Sequence, residues 1–422
     1  MSSEPTEAFV WTWLPGAEEP VVAGRIELAD GIVRFNYGRS YLDRPGAIPL
    51  YLPELPLQAG VIEPLGGLTM PGCIEDASPD ACGQRVVMNH LFGAGAKDGD
   101  PAVFGPVTYL LHSGSDRIGA LDFQANSNAY LSRDDASAPL EDLMRAADLV
   151  DDNLPLPPAL DLALLHGSSV GGARPKTLLK DCGRDLIAKF SSRTDTYSIV
   201  KGEFAAMELA GRAGIDVAPV QLVRVMGRDV LLVERFDRTP KTQQRRAMVS
   251  ALTILELDEL MARYASYSAL AQIIRARFTD ARSTLRELFA RITFNILTGN
   301  SDDHARNHAA FWDGEWLTLT PAYDICPQPR AGGETSQAMM IGSDGYRMSQ
   351  LAGCVERAST FLLAAGEARE IIDHQVEVIE REWEDVCERA QMTTVERSFF
   401  WRRQFLNRYA FEGYASASVR LS

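Results

Sequence analysis

An α+β fold is predicted for this chain, and three observations predict it. Residues 8–64 carry short runs rich in β-branched and aromatic residues (FVWTWL, VVAGRIEL, IVRFNYG), broken by Gly, Pro and Asp. From about residue 250 onward the apolar spacing is mostly helical. Between these lie three more strand-like runs and one long helical stretch.

In order, Tyr51-Leu52-Pro53 and Leu55-Pro56-Leu57 form an extended, Pro-punctuated run, and 107–124 passes from helix to strand with Gly-Ser-Asp as the break. Pro, Asp and Ser content places a linker over 131–158, around an acidic helix near 140–150. DLIAKF (185–190) reads as a strand. A helix is expected over 196–213, with Ile199, Phe204, Met207 and Leu209 on its apolar side and Gly214 closing it. VAPVQLVRV and RDVLLVERFDR are two strands joined at Met226-Gly227. Helices follow at about 283–298, 360–390 and 395–411. The expected division is a β-rich subdomain over 1–130, the linker, a smaller lobe portion over 159–240 and a helical lobe over 241–422.

The chain has 422 residues, 46% hydrophobic and 23% charged, with a net charge of −15. No apolar run reaches the roughly 18 residues that span a bilayer. The N-terminus is acidic and lacks the basic start of a secretory signal, so a cytoplasmic location without membrane association is expected. Six cysteines, none in C-x-x-C, suit reduced thiols. An acidic chain is a poor stand-alone nucleic-acid binder, because phosphate affinity comes from Lys and Arg clusters; Arg402-Arg403 is a local exception.

The densest chemistry lies in NSDDHARNHAAFWDGEWLTLTPAYD (300–324). A polar loop leads into a hairpin, with Phe311-Trp312 and 316–319 as strands and Asp313-Gly314 as the turn. Asp324 follows. Asp302 precedes Asn307 by five positions, a spacing that suits phosphoryl transfer. One carboxylate accepts the proton of the attacking hydroxyl, while an Asn oxygen and a second carboxylate hold Mg²⁺ against the nucleotide phosphates. Asp- and Asn-rich loops are also ordinary turns and caps. A zinc pair of His304 and His308 lacks the Glu of H-E-x-x-H, since Ala305 occupies that place.

A second group lies upstream. Ser168-Ser169-Val170-Gly171-Gly172-Ala173-Arg174-Pro175-Lys176 suits a loop whose backbone N–H groups approach an anion. It is not a Walker A loop, because Ala173 stands where Lys is required. Lys189 ends an apolar strand behind this loop, where it can reach phosphates. Glu203 or Glu208 on the next helix could hold it, Glu203 being preferred. Glu234-Arg235-Phe236 ends another strand and suits a hinge that bonds adenine through its backbone. The linear order, Gly loop, strand Lys, helix Glu, hinge, helical lobe, base Asp, Asn, hairpin, metal Asp, is that of a protein-kinase-like phosphotransferase.

SSVGGARPKTLL, LIAKF, GEFAAMELA, VERFDR, NILTGNSDDHARNH and LTPAYDICP together resemble the HipA-type serine/threonine kinases, toxins of bacterial toxin–antitoxin pairs. VRFNYGRSYLDRPGAIPLYLP and SGSDRIGALDF are similar to that family's N-terminal subdomain. The resemblance implies a protein-kinase-like two-lobe fold with an N-terminal β-rich subdomain and a mostly helical C-terminal lobe. It implies Asp302 as base, Asn307 and Asp324 as Mg²⁺ ligands, and Lys189 on the ATP phosphates. Gly171, Gly172, Ala173, Arg174, Pro175 and Lys176 would cover the nucleotide, and His304 and Arg306 would lie beside it. Ser169, with Ser168 as a possible substitute, would match the family's autophosphorylated regulatory serine. Arg174-Pro175 differs from the Gln-Glu of the best-known member. The implied partners are a HipB-like helix-turn-helix antitoxin, operator DNA only through that antitoxin, and a protein substrate such as an aminoacyl-tRNA synthetase, with growth arrest and persistence as the outcome. Two other readings stay open: a nucleotide-binding but inactive co-repressor, and a small-molecule phosphotransferase.

Overall fold

The computed structural model describes residues 4–92, 103–133, 138–151, 154, 156–157, 160, 164–165, 176–192, 195–240, 242, 244–330 and 333–415. The chain forms two compact units. One comprises Met1–Ser192, Val223–Val249 and Phe311–Glu315; the other comprises Arg193–Leu222, Ser250–Ala310 and Trp316–Ser422.

The first unit holds two sheets. Strands β1 (Glu7–Thr12), β2 (Val21–Ala29), β3 (Ile32–Tyr37), β4 (Val61–Ile62) and β5 (Leu121–Gln124) form an antiparallel sheet in the order β4–β3–β2–β1–β5. Asp30 and Gly31, both at positive φ, make the two-residue turn between β2 and β3. Alternation puts Ala8, Val10, Ile26, Val33 and Phe35 on the buried side. Helices α1 (Ala81–Phe92) and α2 (Pro106–His112) follow β4, and α2 packs on β1.

Helix α3 (Leu140–Asp151) falls inside the stretch expected as a linker, yet it is part of a core. Leu143, Met144, Ala146 and Ala147 pack on Leu186, Ala188, Phe190, Val230 and Leu232 of the second sheet. The Pro and Asp residues flanking it suggested a boundary, whereas its apolar stripe finds a sheet to cover. That sheet has the order β6–β7–β9–β8, from β6 (Lys176–Asp181), β7 (Arg184–Phe190), β8 (Val220–Val225) and β9 (Arg228–Glu234). Met226-Gly227, both at positive φ, join β8 to β9 as the sequence predicts.

The second unit is mostly helical. Helix α4 (Ile199–Arg212) buries Phe204, Met207 and Leu209, and Gly214 at φ 86° follows it. A Cβ at Gly202 would lie 2.7 Å from the Phe400 ring, so glycine is what lets α4 approach that side chain. Helices α5 (Tyr267–Arg277), α6 (Ala281–Thr298), α7 (Ala365–Arg389) and α8 (Thr394–Phe400) complete the frame. Helix α6 is central: Leu285, Leu288, Phe289, Ile292, Phe294, Ile296 and Leu297 are all buried. The helix expected over 395–411 is shorter. It stops at Phe400, because Arg402 and Leu406 take left-handed backbone that ends helical bonding, and only a 3₁₀ turn returns at Arg408–Phe411. Among the described residues, no helix is long and apolar enough to cross a membrane.

Candidate active site

Asp280 caps the start of α6 by accepting from the Ser283 N–H, and Gly299, at φ 72°, ends the helix. The chain then enters the polar loop. Its footing is a set of buried side chains. Asn295, in the last turn of α6, donates from Nδ2 to Asp303 Oδ2 at 2.7 Å and accepts at Oδ1 from Asn300 Nδ2 at 3.0 Å. Gln337 Nε2 donates to the Asn300 carbonyl at 3.0 Å. Asp303, 2% exposed, also accepts from the Tyr267 hydroxyl and from His308 Nε2 at 3.0 Å. Facing a carboxylate that only accepts, His308 must carry its proton on Nε2. Burial opposes ionisation of Asp303, but His308 and Tyr267 hold its carboxyl below the ordinary range.

The neighbouring Asp302 has the opposite environment. It is exposed, and among the described residues its carboxylate accepts no hydrogen bond. Partial burial of that carboxyl raises its pKa; Asp324 and Asp303 push the same way, against His304. Asp302 and Asp324, 22 positions apart in the chain, therefore sense each other's charge. Asn307, 8% exposed, donates from Nδ2 to the Asp302 carbonyl at 3.4 Å. That bond leaves its Oδ1 as the atom that could hold a cation.

The hairpin that delivers Asp324 consists of β10 (Ala309–Trp312) and β11 (Leu317–Leu319). Its turn spans 313–316 rather than the two residues expected. Asp313 accepts from the Glu315 N–H, and Gly314 sits at φ 106°. Thr320 N–H closes the hairpin on Ala309 O at 3.0 Å. Tyr323 hydroxyl then staples the segment to the loop through the Arg306 carbonyl, 2.7 Å away. Asp324 takes φ 59°, a left-handed conformation uncommon for a non-glycine residue and enriched at functional positions.

Other expected residues are placed less uniformly. His304 keeps a buried Nδ1 that has no hydrogen-bond partner among the described residues. Arg306, expected beside the nucleotide, pairs with Glu259 at 2.8 Å. The zinc pair of His304 and His308, already disfavoured by the missing Glu, finds no further ligands: His308 Nε2 bonds Asp303, and among the described residues no three His, Cys, Asp or Glu side chains gather around a metal position. Glu208 is engaged by Arg389 at 2.9 Å, whereas Glu203 is 4% exposed on the inner face of α4.

In the first unit, Lys189 lies in β7 directly opposite Lys176. Their side chains therefore leave the same face of the sheet. Lys176, expected within a loop, is the first residue of β6 and lies 3.6 Å from Asp80. Ser168, Ser169, Gly171, Gly172, Ala173, Arg174 and Pro175 lie outside the described residues. Glu234 ends β9, and Phe236 meets Phe311 edge-on at 6.0 Å. Arg235, expected in a hinge that bonds adenine through its backbone, turns its side chain inward. Its N–H donates to Asp185 O, and its guanidinium is buried against Asp116 and Asp237.

Asn295, Asp303 and Tyr267 are the site residues that sequence reasoning missed as anchors. Asn295 left a trace, a lone amide among apolar residues near the end of α6; Tyr267, 36 positions from Asp303, left none.

Residues 168–383, just over half of the chain, match the HipA-like C-terminal domain family. A serine/threonine-protein kinase toxin HipA of Shewanella oneidensis is 27% identical over 185 residues, covering 37% of this chain and 42% of the relative. The putative kinase Y4mE of Sinorhizobium fredii is 28% identical over 151 residues, covering 33% of each. The curated relatives are thus matched over between 33% and 58% of their own length. A solved Shewanella oneidensis complex of HipA, HipB and operator DNA contains a chain that superposes with a TM-score of 0.68 at 20% identity, covering 93% of this chain and 95% of that one; the likeness is one of fold. With its family segment running from the Gly-loop stretch through the candidate catalytic loop and into α7, the chain belongs to the HipA family.

Proposed function

We propose that this protein is an ATP-dependent serine/threonine protein kinase that acts as a growth-arresting toxin. The observation that carries the reading is the contrast at 302–303. Asp303 is buried and pins the loop, and Asp302 before it is exposed and held above its ordinary pKa beside Asp324 and Asn307. A base for a hydroxyl proton needs a free carboxylate in hydrogen-bond reach of solvent-borne substrate.

The donors suit a hard cation. Asn307 Oδ1 and the Asp324 carboxylate are oxygen ligands, and phosphate oxygens would complete the set for Mg²⁺. Bound there, the cation would offset phosphate charge as it develops. Asp302 accepts the proton of the acceptor hydroxyl as its oxygen bonds to the γ-phosphorus and the bond to the β-phosphate oxygen breaks, giving a phosphoester and ADP. Lys189, on a face it shares with Lys176, adds positive charge for phosphates. The 168–176 stretch would cover the nucleotide, with Ser169 as the self-modified residue.

The partner assigned on this reading is a HipB-like helix-turn-helix antitoxin, with operator DNA bound only through it. The net charge of −15 supports that division of labour. The substrate class is a protein of translation such as an aminoacyl-tRNA synthetase. The test is incubation with labelled ATP and whole-cell lysate. Label on one lysate protein is expected; label on no protein would favour the silent co-repressor, and label on a small molecule the small-molecule phosphotransferase.

A further inference from the structure

Two segments that resemblance singled out, SGSDRIGALDF and VERFDR, meet within the first unit. Arg235 is 5% exposed, and it donates from NH1 to Asp116 Oδ1 at 2.9 Å and from NH2 to Arg117 O at 2.8 Å. Its Nε and NH2 also bond both oxygens of Asp237, at 3.0 and 2.8 Å. Arg238 donates from NH2 to the same Asp116 Oδ1 at 2.7 Å and from NH1 to Asp237 Oδ2 at 2.9 Å. Gly119 N–H closes the ring on Asp237 Oδ2 at 2.8 Å. All four charged residues are at most 9% exposed. Burial opposes their ionisation, yet Arg235 and Arg238 hold Asp116 below its ordinary range and bring Asp237 to about 2.

A buried ionic cluster is weak evidence for stability, since apolar residues of the same volume often do as well. What it supplies is fixed geometry. This one begins at the residue after Glu234 and ties 235–238 to the turn at 116–119 that leads into β5. A segment that offers backbone groups to a flat base must be held in register, because small misplacements of binding groups are expensive.

We propose that Asp116 is a positioning residue for the nucleotide. Through Arg235 and Arg238, the β-rich N-terminal subdomain sets the backbone of 234–236, so nucleotide affinity depends on a carboxylate that never touches the nucleotide. This rests on the kinase reading and on 234–236 being the adenine hinge.

The test uses the full chain and Asp116→Asn, which keeps shape and removes charge. Calorimetry with Mg·ATP should show dissociation constants raised roughly 2- to 30-fold, the range for residues that act at a distance. Phosphotransfer at saturating ATP should stay within about twofold of wild type. Unchanged affinity together with a lowered melting temperature would make the cluster a structural staple and overturn the proposal. Hydrogen exchange on the unmodified protein gives a second arm that no folding defect can blur. Mg·ATP should slow exchange at 116–119 together with 234–238; protection confined to 234–238 would overturn the coupling. Wild-type protein that binds no Mg·ATP would instead strike the kinase reading itself.

Discussion

Asp302 and Asp303 are adjacent and chemically identical, and the structure predicts opposite consequences for the same change. Asp303→Asn turns three charge-assisted hydrogen bonds, from Tyr267, Asn295 and His308, into neutral ones. A hydrogen bond to a charged group contributes about 1.5–3 kcal/mol and a neutral one about 0.5–1.5, so each substitution of kind costs about 1 kcal/mol. All three donors converge on Oδ2, so the amide oxygen can take that place and keep three neutral hydrogen bonds. The sum is a loss of roughly 2–4 kcal/mol, a large share of a typical stability. Asp302→Asn removes a carboxylate that accepts no hydrogen bond among the described residues and is crowded by Asp324 and Asp303. Stability should hold or rise slightly, while phosphotransfer falls by about 10²–10⁴. Urea unfolding of both variants, read beside a labelled-ATP assay, separates the two effects. If Asp303→Asn is as stable as wild type, or Asp302→Asn is destabilised to the same degree, the division of roles between the two residues is wrong.

Three further outcomes are expected. Asp324→Ala should abolish Mg²⁺-dependent ATP binding in calorimetry, because it removes the charged cation ligand; wild-type affinity and metal dependence would count against that role. Ser169 should gain a phosphate after long incubation with Mg·ATP, and the Asp302→Asn protein should not; peptide mass spectrometry decides, and equal modification of both would end the self-modification reading. Glu54, 1% exposed, is pushed up to about 7 from an ordinary 4.5, because burial outweighs the N–H groups of Cys73 and Gly72 that it accepts. A raised carboxyl pKa means that the folded state binds the extra proton, so stability should fall by about 3 kcal/mol between about pH 4.5 and 7. Glu54→Gln should flatten that slope in denaturant titrations, and an unchanged slope would clear Glu54 of it.

The sequence by itself determined the parts whose physics is local. Runs of β-branched and aromatic residues broken by Gly, Pro and Asp marked β1–β3, helical apolar spacing marked α6, and glycines marked the β8–β9 turn and the end of α4. The Asp302–Asn307 spacing marked the loop for the same reason, since five positions within one turn stay close in any fold. Tertiary structure alone decided what depends on distant partners. Residues 140–151 carry the same apolar stripe whether they bridge domains or cover a sheet, and only the presence of Leu186 and Val230 beneath them settles which. Arg235 reads as a hinge residue in sequence; Asp116, 119 positions earlier, is what draws its guanidinium inward. The two aspartates at 302–303 are indistinguishable in a string of letters. Tyr267, Asn295 and His308, brought together by packing of α5 and α6, supply the donors that bury one charge and leave its neighbour to the solvent.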